Sequence, residues 1–390
     1  MSSEQDCLAE LPLGRMFVSV PFADIWFGEE ARRVRRTIRD VVATVEVLLA
    51  VPVPRPPIHG SFMRVERIED AAMNLPLPTF TVIIPTYRRG DALCACLQSL
   101  AKLDYPRECF DVVVVDDGGG LPVDDIKASF RSQLNLSVLV QENAGPGAAR
   151  NTAAFLARRD YLAFIDDDCV ADACWLKAFA TQIAVQPQSL LGGHTRNLLI
   201  DNIYSAASQH LVDCLYQYFA SHESQAFFFA TNNLAVPRRQ FLDLQGFDGA
   251  SMRYASEDRE FCDRWRSRGW AMRFTPEAVV FHAHFLTLRT FWRQHFTYGR
   301  GAYRFRLARS RRGQKPLQIE AAWFLINLFE YPFKNARGLE TLCLALFMLL
   351  THVANLCGFL AEATTHLTVN NWPDVAPTTT KRKGRIRGRS

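Results

Sequence analysis

No CxxC pair occurs in these 390 residues, and the ten cysteines show no paired ligand spacing. That argues against a structural zinc site. A chain of this length has no need of disulfide staples, so the thiols are read as reduced in a cytosolic setting. The start of the chain carries Glu4 and Asp6 and lacks a basic-then-apolar pattern, which argues against a secretory signal. No GxGxxG follows the first strand-like run, which counts against a Rossmann dehydrogenase. Aromatic residues are not interleaved with the basic residues of the tail KRKGRIRGRS, so no nucleic-acid partner is expected. Formal charge is missing altogether from Thr341 to Ala361.

What the chain does contain is a substantial apolar fraction, 48% hydrophobic against 22% charged, enough to bury a large core and carry appendages. The net charge of +5 is unevenly placed. Arg300, Arg304, Arg306, Arg309, Arg311 and Arg312 crowd one stretch, and such clusters favour phosphate, anionic lipid or nucleic acid, in no order that charge alone sets. Four regions are expected: an N-terminal extension (1–78), a central α/β domain (79–300), a C-terminal helical region (301–380) and a basic tail (381–390). Within the first, Glu29 to Ala50 has helical apolar spacing, and VPVPRPP (51–57) reads as a linker.

Tyr161 to Val170, YLAFIDDDCV, is the organising stretch. Tyr161 to Ile165 reads as a buried strand that ends in three adjacent carboxylates, Asp166, Asp167 and Asp168. Neighbouring acids repel one another. A divalent cation with a preference for carboxylate oxygen, Mg2+ or Mn2+, would neutralise them, and the carboxyl end of a strand is where open α/β sheets bind ligands. The plain alternative is a solvated turn that caps a helix starting near Asp172.

Upstream, Phe80 to Ile84 reads as a strand leading into PTYRR (85–89), followed by a helix from about Asp91 to Lys102. Phe110 to Val115 is apolar but for Asp111 and ends in Asp116, Asp117 and three glycines. This is a βαβ unit with acids at the strand ends. Val138 to Val140 reads as another strand before ENAGPGAARN (142–151), where glycines allow close backbone approach to a ligand and Arg150 sits early in the next helix. The alternation predicts an α/β fold with a mostly parallel sheet and right-handed crossovers. Further on, Glu257 and Asp258 precede a charged helix over Arg259 to Arg268, and His282 and His284 follow a strand-like run over Ala278 to Phe281.

The order IIPTYRR, VVVDDGG, NAGPGAARN, FIDDD, TNNLAVPRR, GFD and SEDREFCDRW resembles family 2 glycosyltransferases with the GT-A fold, over about residues 79 to 300. Each motif alone is weak; the order and spacing make the likeness. The resemblance implies transfer of a sugar from a nucleoside-diphosphate sugar to a lipid-linked or glycan acceptor. Pro85, Tyr87, Asp117, Arg150, Asp166 and Asp167 would then hold the donor. Tyr87 would contact the base, Asp117 would accept a hydrogen bond from it, and Arg150 would lie near the diphosphate. Asp168, with His282, would hold the Mg2+ or Mn2+ that stabilises the leaving group. Asp258 would take the acceptor's proton in a single inverting displacement. Structural alternatives stay open beside these roles: a core tyrosine, a helix-surface arginine, first-turn acids favoured by the helix dipole, a satisfied core histidine. A sugar-nucleotide-binding protein without turnover is the competing function. The QxxRW signature of processive synthases is absent from FWRQHFTYGRG (291–301), which implies one sugar per encounter.

Beyond Gly301, Glu320 to Phe333 is rich in Trp, Phe, Leu and Ile, and Thr341 to Ala361 approaches the length of a spanning helix. Thr351, His352, Asn355 and Gly358 weaken a spanning reading and leave open an interfacial hairpin or a helix buried against the catalytic domain. Flanking basic clusters point to the cytoplasmic face of an anionic membrane.

Overall fold

A computed structural model of the chain describes residues 76–221, 228–252, 255–314 and 339–368. The Glu29–Ala50 segment, the proline-rich linker, the Glu320–Phe333 run and the basic tail lie outside the described residues. Of the C-terminal region expected at 301–380, the described residues are 301–314, which end a long helix begun at Leu288, and 339–368, an apolar helix.

The chain runs β1 (Phe80–Thr86), α1 (Gly90–Leu100), β2 (Phe110–Asp116), α2 (Val123–Phe130), β3 (Leu136–Val140), α3 (Pro146–Leu156) and β4 (Tyr161–Ile165). It continues with β5 (Cys169–Ala171), α4 (Trp175–Val185), β6 (Leu190–Asn197), α5 (Ile203–Ser221), β7 (Asn233–Pro237) and α6 (Arg238–Asp243). Last come α7 (Glu257–Ser267), β8 (Met272–His282), α8 (Leu288–Arg311) and α9 (Leu339–Thr368). The helix expected near Asp172 begins instead at Trp175, because the Asp172 carboxylate accepts the Cys174 N–H at 2.9 Å and holds a turn first. The strand over Ala278 to Phe281 is longer than expected.

Among the described residues the strands form one eight-stranded sheet, ordered β3-β2-β1-β4-β7-β6-β8-β5. Strands β3, β2, β1 and β4 are parallel. Strand β7 runs against both β4 and β6, β8 is parallel to β6, and short β5 runs against β8 at the edge. The expectation of a mostly parallel sheet therefore holds, with two strands reversed. Helices cover both faces, which is why the strand sequences are nearly continuous apolar runs. Val82 and Ile84 face a core with Leu97, Trp175 and Phe179. Ile83, between them, faces Phe164, Phe241, Phe261 and Trp265 on the other side. In-register pairing of β1 with β2, Thr86 opposite Asp116, and of β1 with β4 brings the acidic strand ends to one level.

Helix α9 packs along α8. A Cβ at Gly299 would collide with the Asn355 carbonyl, and one at Gly358 with the Phe296 carbonyl, so the two backbones touch where only glycine fits. Glu362 then receives Arg300 Nε at 2.6 Å and Arg304 Nε at 2.7 Å. Arg312 pairs with Glu260 and Asp263, and Arg309 with Asp263. Most of the arginine cluster is thus engaged in joining α8 to its neighbours. Thr341–His366 is long and apolar enough to cross a membrane, with a mean hydropathy of 2.0. One face of it is committed to the protein, with Leu344, Met348, Thr351 and Ala354 buried. Leu346, Leu349, Val353, Leu356 and Leu360, at spacings of three and four, form an exposed stripe on another face.

Candidate active site

The end of β4 delivers the three acids to three different partners. Asp166 accepts from Arg150 Nη2 at 2.6 Å. Asp167 turns inward, accepting from Thr86 Oγ1 at 2.7 Å and Arg89 Nη1 at 3.0 Å. Asp168 meets the same Arg89 nitrogen at 2.7 Å, with His282 Nε2 at 3.2 Å and His284 Nδ1 at 3.5 Å. Pairing of β5 with β8 sets Cys169 opposite His282, and the Ala283 N–H donates to the Asp168 carbonyl at 2.8 Å, so backbone geometry fixes this approach. Burial pushes the Asp167 carboxyl up to about 6, against the pull of Arg89. Burial acts the same way on Asp168, but His282 and His284 outweigh it and hold that carboxyl well below the usual range. His282 is lowered by burial and raised more by Asp168, a net rise.

One oxygen or nitrogen from each of Asp168, His282 and His284 lies within 4.8 Å of the others, a spread that a single cation could draw together. A carboxylate with two imidazoles suits Mn2+ better than Mg2+, which favours oxygen ligands. The residues present therefore fit a divalent cation.

Asp117 lies where β2 ends. Its Oδ1 accepts from Gln141 Nε2 at 2.7 Å and the Ala144 N–H at 2.9 Å, and its Oδ2 from the Gly145 N–H at 2.9 Å. Gly145, at φ 93°, takes a backbone shape that favours glycine and opens α3 with Pro146 at its first turn. On α3, buried Arg150 forks between Asp166 and Glu257, the latter at 2.9 Å. Asn151, one residue on, exchanges hydrogen bonds with the Phe247 backbone at 2.8 and 2.9 Å, which anchors the GFD turn ahead of α7. Burial and neighbouring Asp258 push the Glu257 carboxyl up to about 7, with Arg150 opposing. Burial also raises half-buried Asp258, against Arg259, whose backbone N–H donates to Asp258 Oδ1 at 2.7 Å.

All nine residues expected from the sequence, Pro85, Tyr87, Asp117, Arg150, Asp166, Asp167, Asp168, Asp258 and His282, line one cavity of about 660 Å3. Asn232 of the TNN motif lines it too, whereas Asn233 is structural, accepting from Trp175 Nε1 at 2.9 Å and donating to the Ala278 carbonyl at 2.8 Å. Residues 81–241 match the model for Glycosyl transferase family 2. Over that stretch the chain carries a family 2 glycosyltransferase domain. Its sheet is mixed and mostly parallel. Glycosyltransferase AglE of Haloferax volcanii is 33% identical over 124 residues, 31% of this chain and 41% of that protein. The Staphylococcus aureus poly(ribitol-phosphate) beta-N-acetylglucosaminyltransferase TarS is 41% identical over 91 residues, 23% of this chain and 16% of that protein. The chain thus spans less than half the length of either relative. The solved mannosyltransferase PcManGT of Pyrobaculum calidifontis, in complex with GDP-Man and Mn2+, aligns with TM-score 0.48 and 18% identity, covering 78% of this chain and 86% of that one.

Several residues of this cavity were not singled out from sequence. Arg89 was visible in PTYRR as a charge, but its position between two carboxylates follows from the alignment of β1 with β4. Gln294, Tyr298, Thr351, His352 and Asn355 also line the cavity, from α8 and α9. Thr351, His352 and Asn355 stood out only as polar interruptions of an apolar run. Nothing local signals that they face an active site.

Proposed function

We propose that this glycosyltransferase moves one sugar from a nucleoside-diphosphate sugar to an acceptor hydroxyl by metal-dependent inverting displacement, in the synthesis of a cell-envelope or surface glycan. The observation that carries the reading is that the Asp168–His282–His284 cluster, Asp117 and Asp258 all line one cavity. Asp117 Oδ2, with a single backbone donor, keeps a lone pair for an N–H of the base. Exposed Tyr87 offers its ring to the base, with the Arg88 guanidinium 5.0 Å from the ring centre. Asp168, His282 and His284 would hold the cation, which when bound neutralises the departing nucleoside diphosphate. Arg150 holds Asp166 and Glu257 together and so acts as a positioning residue between the donor side and the base. Asp258 takes the hydroxyl proton as that oxygen bonds to the anomeric carbon. The bond from that carbon to the diphosphate breaks on the opposite face, with inversion.

The exposed stripe of α9 suits contact with the cytoplasmic surface of a membrane, where a lipid-linked or nascent glycan would be met. Because the opposite face is clamped to α8, we read this as interfacial seating of the folded domain.

The test is nucleoside-diphosphate release from UDP-glucose, UDP-N-acetylglucosamine and GDP-mannose, with Mn2+ and with chelator, in wild type and Asp168→Asn. Release that needs Mn2+ and is lost in the variant supports the reading. Equal release in chelator overturns the metal assignment, and failure of UDP, GDP and dTDP alike to stabilise the folded protein overturns the donor assignment.

A further inference from the structure

The cavity wall contributed by α8 and α9 lies outside residues 81–241 and differs in character from the rest. The β-strand ends supply carboxylates, histidines and arginine. Gln294, Tyr298, Thr351, His352 and Asn355 supply amides, hydroxyls and an imidazole.

Among the described residues, several hydrogen bonds of this wall are unmade. Gln294 Nε2 donates to Tyr298 Oη at 2.7 Å, which leaves Gln294 Oε1 buried without a partner and the tyrosine O–H free to donate outward. The Thr351 hydroxyl is likewise buried without a partner among the described residues, in a residue 1% exposed. His352 Nδ1 lies 2.6 Å from the Met348 carbonyl, an arrangement that assigns the proton to Nδ1 and leaves Nε2 as an acceptor. Asn355 commits its amide N–H to the Thr351 carbonyl at 2.8 Å, not its Oδ1. Buried polar atoms are normally satisfied, and one left without a partner is costly. A group of amides, hydroxyls and one imidazole with spare capacity is suited to hydroxyls, which both donate and accept, and holds no permanently charged side chain with which to capture phosphate or carboxylate.

The wall is also stiff. The glycine contacts at Gly299 and Gly358 and the Glu362 clamp fix α9 within about three turns of His352. Beside it, Leu211, Val212 and Leu215 of α5, which packs against α9, and Phe228 line the same cavity and provide apolar surface of the kind that covers the C–H face of a sugar ring.

We propose that Gln294, Tyr298, Thr351, His352 and Asn355 form a hydroxyl-binding acceptor subsite that takes an uncharged polyhydroxylated unit, a sugar ring or an open-chain polyol, and turns one hydroxyl towards Asp258. This rests on the glycosyl-transfer reading and names the acceptor chemistry of the same cavity. One sugar or polyol hydroxyl is presented to the base while its neighbours occupy the wall. A lipid-linked acceptor would be recognised here through its carbohydrate part.

The test uses the full chain with UDP and Mg2+ and follows saturation-transfer NMR of methyl β-D-glucopyranoside, ribitol and n-hexanol, each titrated separately. The expected result is binding of a polyhydroxy probe, weakened about three- to tenfold in each of Thr351→Val and Gln294→Met, as for loss of one hydrogen bond. The UDP-induced thermal shift, measured on the same samples, reports folding and the donor site independently of the wall. Three results overturn the subsite: neither polyhydroxy probe binds, only n-hexanol binds, or both variants bind the probes as tightly as wild type. If the polyhydroxy probe binds as expected while no nucleoside diphosphate shifts the melting temperature, the subsite stands and the donor reading falls.

Discussion

His295 is fully buried on α8, with neither ring nitrogen partnered among the described residues, packed edge-on against Phe291 at a centroid distance of 4.3 Å and against Tyr298 at 5.5 Å. Burial lowers its pKa to about 4 from 6.5, helped by the charges that His352 and His284 would carry. The imidazole must therefore stay neutral for the α8–α9 wall to hold. Its folded pKa lies below the unfolded value, so between pH 6.5 and 4 the unfolded chain binds the extra proton, and stability falls as pH falls through that window. The full difference of about 2.5 pKa units corresponds to roughly 3 kcal/mol, of which about 1.4 kcal/mol is lost between pH 8 and 5.5. Neighbouring carboxylates and the other histidines also titrate, so the informative quantity is a difference of differences. Urea unfolding at pH 8 and 5.5 is measured for wild type and for His295→Leu, which has similar volume and no proton to gain. Wild type should lose about 1.4 kcal/mol more than the variant over that interval. Equal losses would refute the assignment of a neutral, unpartnered imidazole under the acceptor wall.

Asp258→Asn, which keeps size but cannot take a proton, should lower turnover by roughly two to four orders of magnitude, and the thermal shift by nucleoside diphosphate should persist. A loss confined to donor affinity would assign Asp258 to helix capping or binding. Gly358→Val should destabilise the fold by about 1–3 kcal/mol, read from urea midpoints, because its Cβ overlaps the Phe296 carbonyl; no change would mean that the two helices do not touch there. If α9 sits at the membrane surface through its exposed stripe, the protein should co-sediment with membranes and be released by alkaline carbonate. Retention until detergent is added would instead mean that the helix spans, and a wholly soluble, monodisperse protein would mean that the stripe is covered by protein.

The strands and the acids at their ends were legible in the sequence because both signals are local. A strand covered on both faces reads as a near-continuous apolar run, so Phe80–Thr86, Phe110–Asp116 and Tyr161–Ile165 announce themselves within one or two residues of their bounds. The acids after such runs must lie near the carboxyl edge of the sheet, and that edge is where the cavity opens. Partner choice is not local. Arg150 and Glu257 are 107 residues apart in the chain, and nothing in ENAGPGAARN says that its arginine will divide itself between the acidic triplet and the ED pair. The arginine run at 300–312 looked like a footprint for anions. Its charges are largely matched by Glu260, Asp263 and Glu362, acids that only the packing of α7 and α9 against α8 brings within reach. The same packing turns Thr351, His352 and Asn355 from interruptions of an apolar run into a cavity wall. Hydropathy records how apolar a helix is on average, and only the crossing with its neighbour decides which face meets the substrate.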